Sequence, residues 1–130
     1  MEEIEVKDLS AAEPLALAEE IVRVLDHHKA GSIRLLKVTD KTVITDYFVI
    51  CQGNSSTQVK GLADEAEYRL GLDQVDLLRR EGVDASGWIL LDYGSVIVHV
   101  FQSEQRRFYN LEKLWGDAEE IDISALLTEE

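Results

Sequence analysis

The chain has 130 residues, 45% of them hydrophobic, a length and composition that suit one compact domain and exclude disorder throughout. Its 26 acidic residues against 13 basic ones give a formal net charge of −13, which repels phosphate backbones and anionic lipid but attracts a basic partner. No apolar run approaches the ~20 residues that span a bilayer, and the acidic start "MEEIEVKDLS" is unlike a secretory signal, so we expect a cytoplasmic protein without a membrane segment.

The first part of the chain predicts one helix followed by two strands. The segment "SAAE", Ser10 to Glu13, fits a capping box and begins a helix that runs to about His28. The runs "IRLLKV" and "TVITDYFVICQG", separated by "TDK", predict two strands that are joined by a tight turn and pair antiparallel. Cys51 is the single cysteine of the chain, and we expect it to be a small buried side chain.

The middle of the chain predicts a second helix and three more strands. The helix is capped by Ser55 together with Gln58. Its buried face is expected to consist of five apolar side chains, Val59, Leu62, Ala63, Ala66 and Leu70. "VDLLRR" predicts a third strand, "GVDASG" a loop, and "WILLDYGSVIVHVFQ" two strands that turn at Tyr93, Gly94 and Ser95.

The chain closes with a predicted helix, "RRFYNLEKLWG", which ends at Gly116. Its residues at helical spacing, Phe108, Leu111, Leu114 and Trp115, are expected to be core. Residues 117–130 contain six acidic side chains and no basic one, and they are expected to form a loosely held acidic tail. The order of elements predicts a single α/β domain over residues 1–116, with a mixed β-sheet of about five strands flanked by helices.

Several residue types suggest chemistry, but few have the neighbours that chemistry requires. The "GNSST" loop lacks the lysine of a P-loop and the glycine spacing of a dinucleotide site. His27 and His28 are adjacent and do not share a helical face, and His99 lies in a strand without a nucleophile nearby in the sequence. Asp46 and Asp92 in neighbouring strands could hold a divalent metal, which leaves a nucleotide-binding or nucleotidyltransferase-like enzyme as the alternative function. No closely spaced carboxylate pair supports that alternative.

Two long segments resemble a known family. "LLKVTDKTVITDYFVICQGNSSTQVKGLADEAE" and "WILLDYGSVIVHVFQSEQRRFYNLEKLWGDA" are similar, in this order, to the ribosomal silencing factor family, the RsfS or Iojap-like proteins. The resemblance covers about Ala16 to Ala118. It implies a fold like that of nucleotidyltransferases without their catalytic motif, and a function that is not enzymatic and requires neither a cofactor nor a metal.

The same resemblance implies a partner on the ribosome. Family members bind a basic protein of the large ribosomal subunit, the fourteenth in that subunit's series, on the face that meets the small subunit. Joining of the small subunit is then sterically blocked and translation is repressed, with large-subunit biogenesis as a further implied role. The resemblance also implies a homodimer when the protein is free. Neither direct nucleic-acid readout nor membrane binding is expected.

The last hairpin and the helix after it form the predicted partner-binding surface. In a regular strand Trp88 and Asp92 share one face and Tyr93 points to the other. Trp88 is expected to be an anchor and Asp92 to meet a cation of the basic partner. The alternative for Trp88, which the residues alone favour slightly without the resemblance, is a cap at the end of the sheet. The predicted contact residues are Trp88, Asp92, Tyr93, Arg107, Tyr109 and Lys113. Arg106 is expected beside them on a polar rim, a pattern that a solvated helix face also produces.

Overall fold

The computed structural model describes residues 6–82 and 87–127. In chain order the elements are α1 (Pro14–His27), β1 (Gly31–Lys37), β2 (Tyr47–Gly53), α2 (Ser56–Leu72), β3 (Arg79–Glu81), β4 (Trp88–Asp92), β5 (Val96–Gln102), α3 (Ser103–Tyr109), α4 (Leu111–Leu114), β6 (Glu119–Ile121) and a 3-10 turn (Ser124–Leu126). The predicted loop "GVDASG" falls mostly on residues 83–86, which lie outside the described residues. Among the helices of the described ranges, none has the length and apolar character needed to cross a membrane.

The strands form one mixed sheet in the order β3-β4-β5-β2-β1-β6. β2 and β5 run parallel, whereas the other neighbouring pairs are antiparallel. The predicted mixed α/β architecture is therefore confirmed, and so is the antiparallel pairing of the first two strands. Within the described residues the sheet has six strands rather than about five, because a short strand near the C-terminus adds to β1.

The two long helices begin in different ways. Ser55 Oγ accepts a hydrogen bond from the backbone N–H of Gln58 at 3.1 Å, so α2 is capped as the sequence predicts. The capping box predicted for α1 is not formed, because Ser10 donates to Asp8 through both its backbone N–H and its hydroxyl. α1 instead begins at Pro14, a residue that suits the first turn of a helix because it lacks an N–H.

The sheet separates two apolar layers of unequal size. α1 and α2 pack on one face over the larger layer, which contains Ile89, Leu91 and Tyr93 of the last hairpin. The opposite face carries a smaller cluster, Leu36, Val38, Phe48, Ile50, Ile97 and Phe101, against which Trp88, Leu90, Leu111 and Trp115 pack. The alternation predicted for β4 is thus confirmed. The short α3–α4 segment covers this second face. It leaves aromatic rings at the edge of the sheet partly exposed.

Part of the segment predicted to be a loose tail belongs to the fold. β6 pairs antiparallel with β1 along Leu35 to Lys37, and Glu120 forms a bidentate ion pair with Arg34. Ile123, 8% exposed, packs into the larger core. The expectation of a loosely held segment is therefore wrong for residues 119–126, because their pairing and apolar burial fix them on the sheet.

Candidate functional site

A group of rings lies at the edge of the second sheet face. Trp88 stacks on Phe101 with ring centroids 4.9 Å apart, and its centroid is 4.6 Å from that of Tyr109. The indole Nε1–H of Trp88 donates a hydrogen bond to Nδ1 of His99 at 3.2 Å. Trp88 is half-buried by these contacts. Its ring is therefore part of the fold as well as part of the surface.

His99 is a packed histidine of β5. It is 5% exposed, and burial lowers its pKa to about 4. Because Nδ1 accepts the bond from Trp88, the neutral ring carries its proton on Nε2. His99 is thus hydrogen-bonded across the last hairpin rather than placed beside a nucleophile.

The α3–α4 segment presents large apolar side chains to solvent. Phe108 is 80% exposed, Leu114 72% and Tyr109 47%. The prediction that Phe108 and Leu114 are core is wrong, because the helix is broken at Asn110, whose φ of 50° is left-handed. Asparagine tolerates this conformation, and the break turns Leu111 toward the sheet while its neighbours face outward.

Arg106 holds this segment in place, which differs from the polar rim predicted for it. Its guanidinium donates to Glu112 Oε2 through Nε and Nη2, at 2.8 and 2.6 Å, and through Nη1 to Ser32 O at 2.7 Å and Gln52 Oε1 at 3.1 Å. Arg106 is 7% exposed, whereas the adjacent Arg107 is exposed. One buried side chain therefore ties α3 to α4 and to β1 and β2.

The other predicted contact residues divide between surface and interior. Arg107, Tyr109 and Lys113 are exposed on α3–α4, with Trp88 half-buried beside Tyr109. Tyr93 is 7% exposed in the larger core on the opposite sheet face, where burial raises the pKa of its hydroxyl. Its ring is not available to a partner, so the prediction that Tyr93 is a contact residue is wrong.

Asp92 has partners within its own part of the sheet. Its Oδ1 accepts a hydrogen bond from Gly94 N at 2.8 Å, in a turn where Gly94 has a φ of +88°. Its Oδ2 lies 3.8 Å from Nη2 of Arg79. The carboxylate predicted to meet a partner's cation therefore already fixes a turn and faces a cation of this chain, and its role in partner binding stays a prediction.

A pocket of about 220 Å³ opens beside the rings, lined by Glu81, Gly82, Trp88, Leu90 and Tyr109. Gly82 has a φ of +111°, and a Cβ at this position would clash with the carbonyl oxygen of Trp88. Glycine is therefore required where β3 leaves the sheet beside β4. The pocket combines aromatic and apolar walls with one carboxylate.

The features that suggested an enzyme are not assembled into a site. Asp46 precedes β2 and Asp92 ends β4, and β5 lies between these strands, so the expected neighbouring carboxylates are not found. In residues 6–82 and 87–127, no group of three or more His, Cys, Asp and Glu side chains could hold a metal ion. In the "GNSST" loop, Asn54 N donates to Gln58 Oε1 at 2.7 Å as part of the α2 cap. Cys51 is buried as predicted, which raises the pKa of its thiol to about 12.

Comparison with known proteins identifies relatives along most of the chain. The sequence model of one family, described as "Ribosomal silencing factor during starvation", matches residues 11–130. The ribosomal silencing factor RsfS of Halalkalibacterium halodurans is 38% identical over 120 residues, which cover 92% of this chain and 100% of the relative. The crystal structure of a Chromobacterium violaceum protein superposes with a TM-score of 0.77 at 31% identity, covering 80% of this chain and 87% of that one. The mouse "Mitochondrial assembly of ribosomal large subunit protein 1" is 32% identical over 98 residues, 73% of this chain and 43% of that protein.

Proposed function

The chain belongs to the ribosomal silencing factor family, and from that premise we propose that it binds the large ribosomal subunit and blocks joining of the small subunit. The proposed partner is a basic protein on the intersubunit face, the fourteenth of the large-subunit series. The name of the mouse relative, which refers to large-subunit assembly, supports this subunit as the target. Blocking a docking site requires only excluded volume, so the proposed function needs no catalysis and no cofactor.

The observation that carries the proposal is an exposed patch on α3–α4, defined here as Arg107, Phe108, Tyr109, Lys113 and Leu114. Phe108 and Leu114 are 80% and 72% exposed, and the rings of Phe108 and Tyr109 are in contact, with centroids 5.2 Å apart. Contiguous exposed apolar side chains mark interaction surfaces. Aromatic and arginine side chains are also enriched at the centres of interfaces. Because Arg106 fixes the segment on the sheet, the α3–α4 patch is formed before a partner binds.

The charge of the chain supports a basic partner. A formal net charge of −13 creates a field that speeds encounter with a positively charged protein and slows approach to bare phosphate. The basic side chains of the patch, Arg107 and Lys113, are exposed and suit polar contacts at its rim. The proposed complex therefore combines attraction over the whole surface with a local apolar contact.

We also propose that the free chain forms a homodimer in the cytoplasm. Exposed apolar side chains occur outside the α3–α4 patch as well, among them Val43 and Ile44, which are 103% and 73% exposed. A second copy that covered such side chains would remove apolar area from water. Sedimentation velocity over a range of concentrations tests this part of the proposal. A mass of two chains supports it, and a mass of one chain at every concentration contradicts it.

The experiment that tests the main proposal is co-sedimentation with separated ribosomal subunits. We expect the chain to pellet with the large subunit and to stay in the supernatant with the small one. Excess isolated fourteenth large-subunit protein should compete for the chain. Retention by both subunits alike, or by neither, would contradict the proposal, and a strict requirement for ATP would favour the nucleotide-binding alternative.

A further inference from the structure

The pocket beside Trp88 has walls that suit one kind of side chain. Two of its lining residues, Trp88 and Tyr109, are aromatic, with centroids 4.6 Å apart and ring planes inclined at 47°. Leu90 contributes an apolar wall, and Glu81 contributes a carboxylate whose side chain is 54% exposed. The volume of about 220 Å³ suits a single long side chain.

The combination of aromatic rings with a carboxylate favours a cation over a neutral apolar group. A Lys or Arg head group near a Trp or Tyr ring is attracted by the negative charge density of the ring face, and the Glu81 carboxylate adds attraction of the same sign. The methylene stem of either side chain would contact the apolar wall. The formal net charge of −13 for the whole chain acts in the same direction.

Glu81 already forms an ion pair with Arg79 of this chain, but this pair does not prevent Glu81 from binding an incoming cation. Arg79 Nε lies 2.8 Å from Glu81 Oε2, but its side chain is 59% exposed, and exposed ion pairs contribute little to stability. Arg79 also faces Asp92 at 3.8 Å. An incoming cation can therefore share Glu81 or displace Arg79 toward Asp92 at small cost.

We propose that the pocket formed by Glu81, Trp88, Leu90 and Tyr109 binds one lysine or arginine side chain of the basic partner. The proposal rests on the proposed function and deepens it, because it assigns the chemical class of the partner group that enters the surface. The α3–α4 patch then provides the apolar contact beside it, and Tyr109 belongs to both. Gly82 also lines the pocket, and its backbone conformation and the nearby Trp88 carbonyl oxygen exclude a larger residue at that position.

The test uses two small probes of nearly equal shape, Nα-acetyl-lysine methylamide and its norleucine counterpart, which lacks the ammonium group. The chain contains two tryptophans, so the indole N–H signals of Trp88 and Trp115 can be followed in one NMR titration and assigned with Trp115→Phe. We expect lysine to shift the Trp88 signal with an affinity about two- to fivefold above that of norleucine. The Trp115 signal should stay unchanged, because its ring packs on Phe48 away from the pocket.

Two substitutions test separately how much the carboxylate and the aromatic ring contribute to lysine binding. Glu81→Gln keeps the shape and removes the charge, and Tyr109→Leu keeps an apolar wall and removes the ring. Each should weaken lysine by roughly two- to fivefold and leave norleucine unchanged. The matched control is Glu119→Gln, which makes the same charge change in β6 at the far edge of the sheet from β3 and should alter neither probe. If Tyr109→Leu does not fold, the Glu81→Gln comparison decides.

The outcomes distinguish this proposal from the proposed function. Norleucine binding as tightly as lysine, or lysine binding unchanged by Glu81→Gln, would overturn the cation pocket even if the wild-type chain sediments with the large subunit. Selective lysine binding by a chain that does not sediment with the large subunit would support the pocket and contradict the proposed function. Equal effects of Glu81→Gln and Glu119→Gln would assign the attraction to net charge alone and overturn the pocket.

Discussion

The indole Nε1–H of Trp88 donates a hydrogen bond to Nδ1 of His99 from one strand of the last hairpin to the other, at 3.2 Å. The same indole stacks on Phe101. Trp88→Ala should therefore lower the free energy of unfolding by about 2–4 kcal/mol, through lost burial and the cavity left behind. Urea denaturation measures this loss. An unchanged midpoint would show that Trp88 serves the surface alone, as the sequence-based anchor hypothesis assumed.

The burial of His99 predicts a dependence of stability on pH. Burial holds its folded-state pKa near 4, below the value of about 6.5 expected for the unfolded chain. As the pH falls from about 6.5 toward 4, His99 is therefore protonated in the unfolded chain before it is protonated in the folded chain. The contribution of neutral His99 to the free energy of unfolding is complete above about pH 6.5 and is lost as the pH falls toward 4. The total loss in the free energy of unfolding is about 3 kcal/mol.

His99→Gln isolates this contribution, because a glutamine Oε1 can still accept the Trp88 bond without titrating. Unfolding free energies of wild type and variant at pH 7 and pH 4.5 give the comparison. Wild type should lose about 2–3 kcal/mol more than the variant over this interval. Parallel losses in both proteins would show that the folded chain protonates His99 at an ordinary pKa.

Arg106 and Arg107 are neighbours in sequence with opposite environments. Arg106→Lys should destabilise the fold by about 2–4 kcal/mol, because an ammonium cannot replace the four hydrogen bonds that reach Glu112, Ser32 and Gln52. Arg107→Lys is the matched control and should change stability by less than about 0.5 kcal/mol. Thermal unfolding of both variants provides the measurement. Equal stabilities would contradict the assignment of Arg106 as the side chain that fixes α3–α4.

Two deletions in the C-terminal segment separate the contribution of β6 to folding from that of the last acidic side chains. Deletion of residues 117–130 removes β6 and the buried Ile123, so it should lower the midpoint of urea denaturation. Deletion of residues 128–130 removes two carboxylates and leaves β6 in place, so it should preserve the midpoint. If the longer deletion unfolded at the wild-type midpoint, β6 would contribute nothing to the fold.

Local patterns in the sequence predicted much of this structure. Strand alternation placed Trp88 and Tyr93 on opposite faces, and a local cap signal placed the start of α2 at Ser55. Both are decided by residues close together in the chain, where periodicity and hydrogen-bonding preferences act directly.

The parts that the sequence did not predict depend on distant contacts or on a single backbone angle. Arg106 is buried because Ser32 in β1 and Gln52 in β2 accept hydrogen bonds from its guanidinium. No local pattern in the sequence distinguishes it from Arg107. β6 is three residues long and mostly acidic, a composition with low strand propensity. The helical spacing of Phe108 was misleading because the left-handed Asn110 interrupts the helix, and an asparagine within an apolar periodicity was the one available signal.

The most direct test of the central claim is light scattering of mixed ribosomal subunits, in which joining raises the signal. Wild-type chain should suppress the signal at near-stoichiometric amounts. Phe108→Ser with Leu114→Ser should require at least about tenfold more protein, since it removes the exposed centre of the α3–α4 patch, while its unfolding free energy changes by less than about 1 kcal/mol.

Tyr68→Ser is the control for this measurement. Tyr68 is 65% exposed on α2, which covers the opposite face of the sheet, and the variant should suppress joining as wild type does. A stable double variant that suppressed joining as well as wild type, or a Tyr68→Ser variant that alone lost suppression, would contradict the claim that the α3–α4 patch is the surface that silences the ribosome.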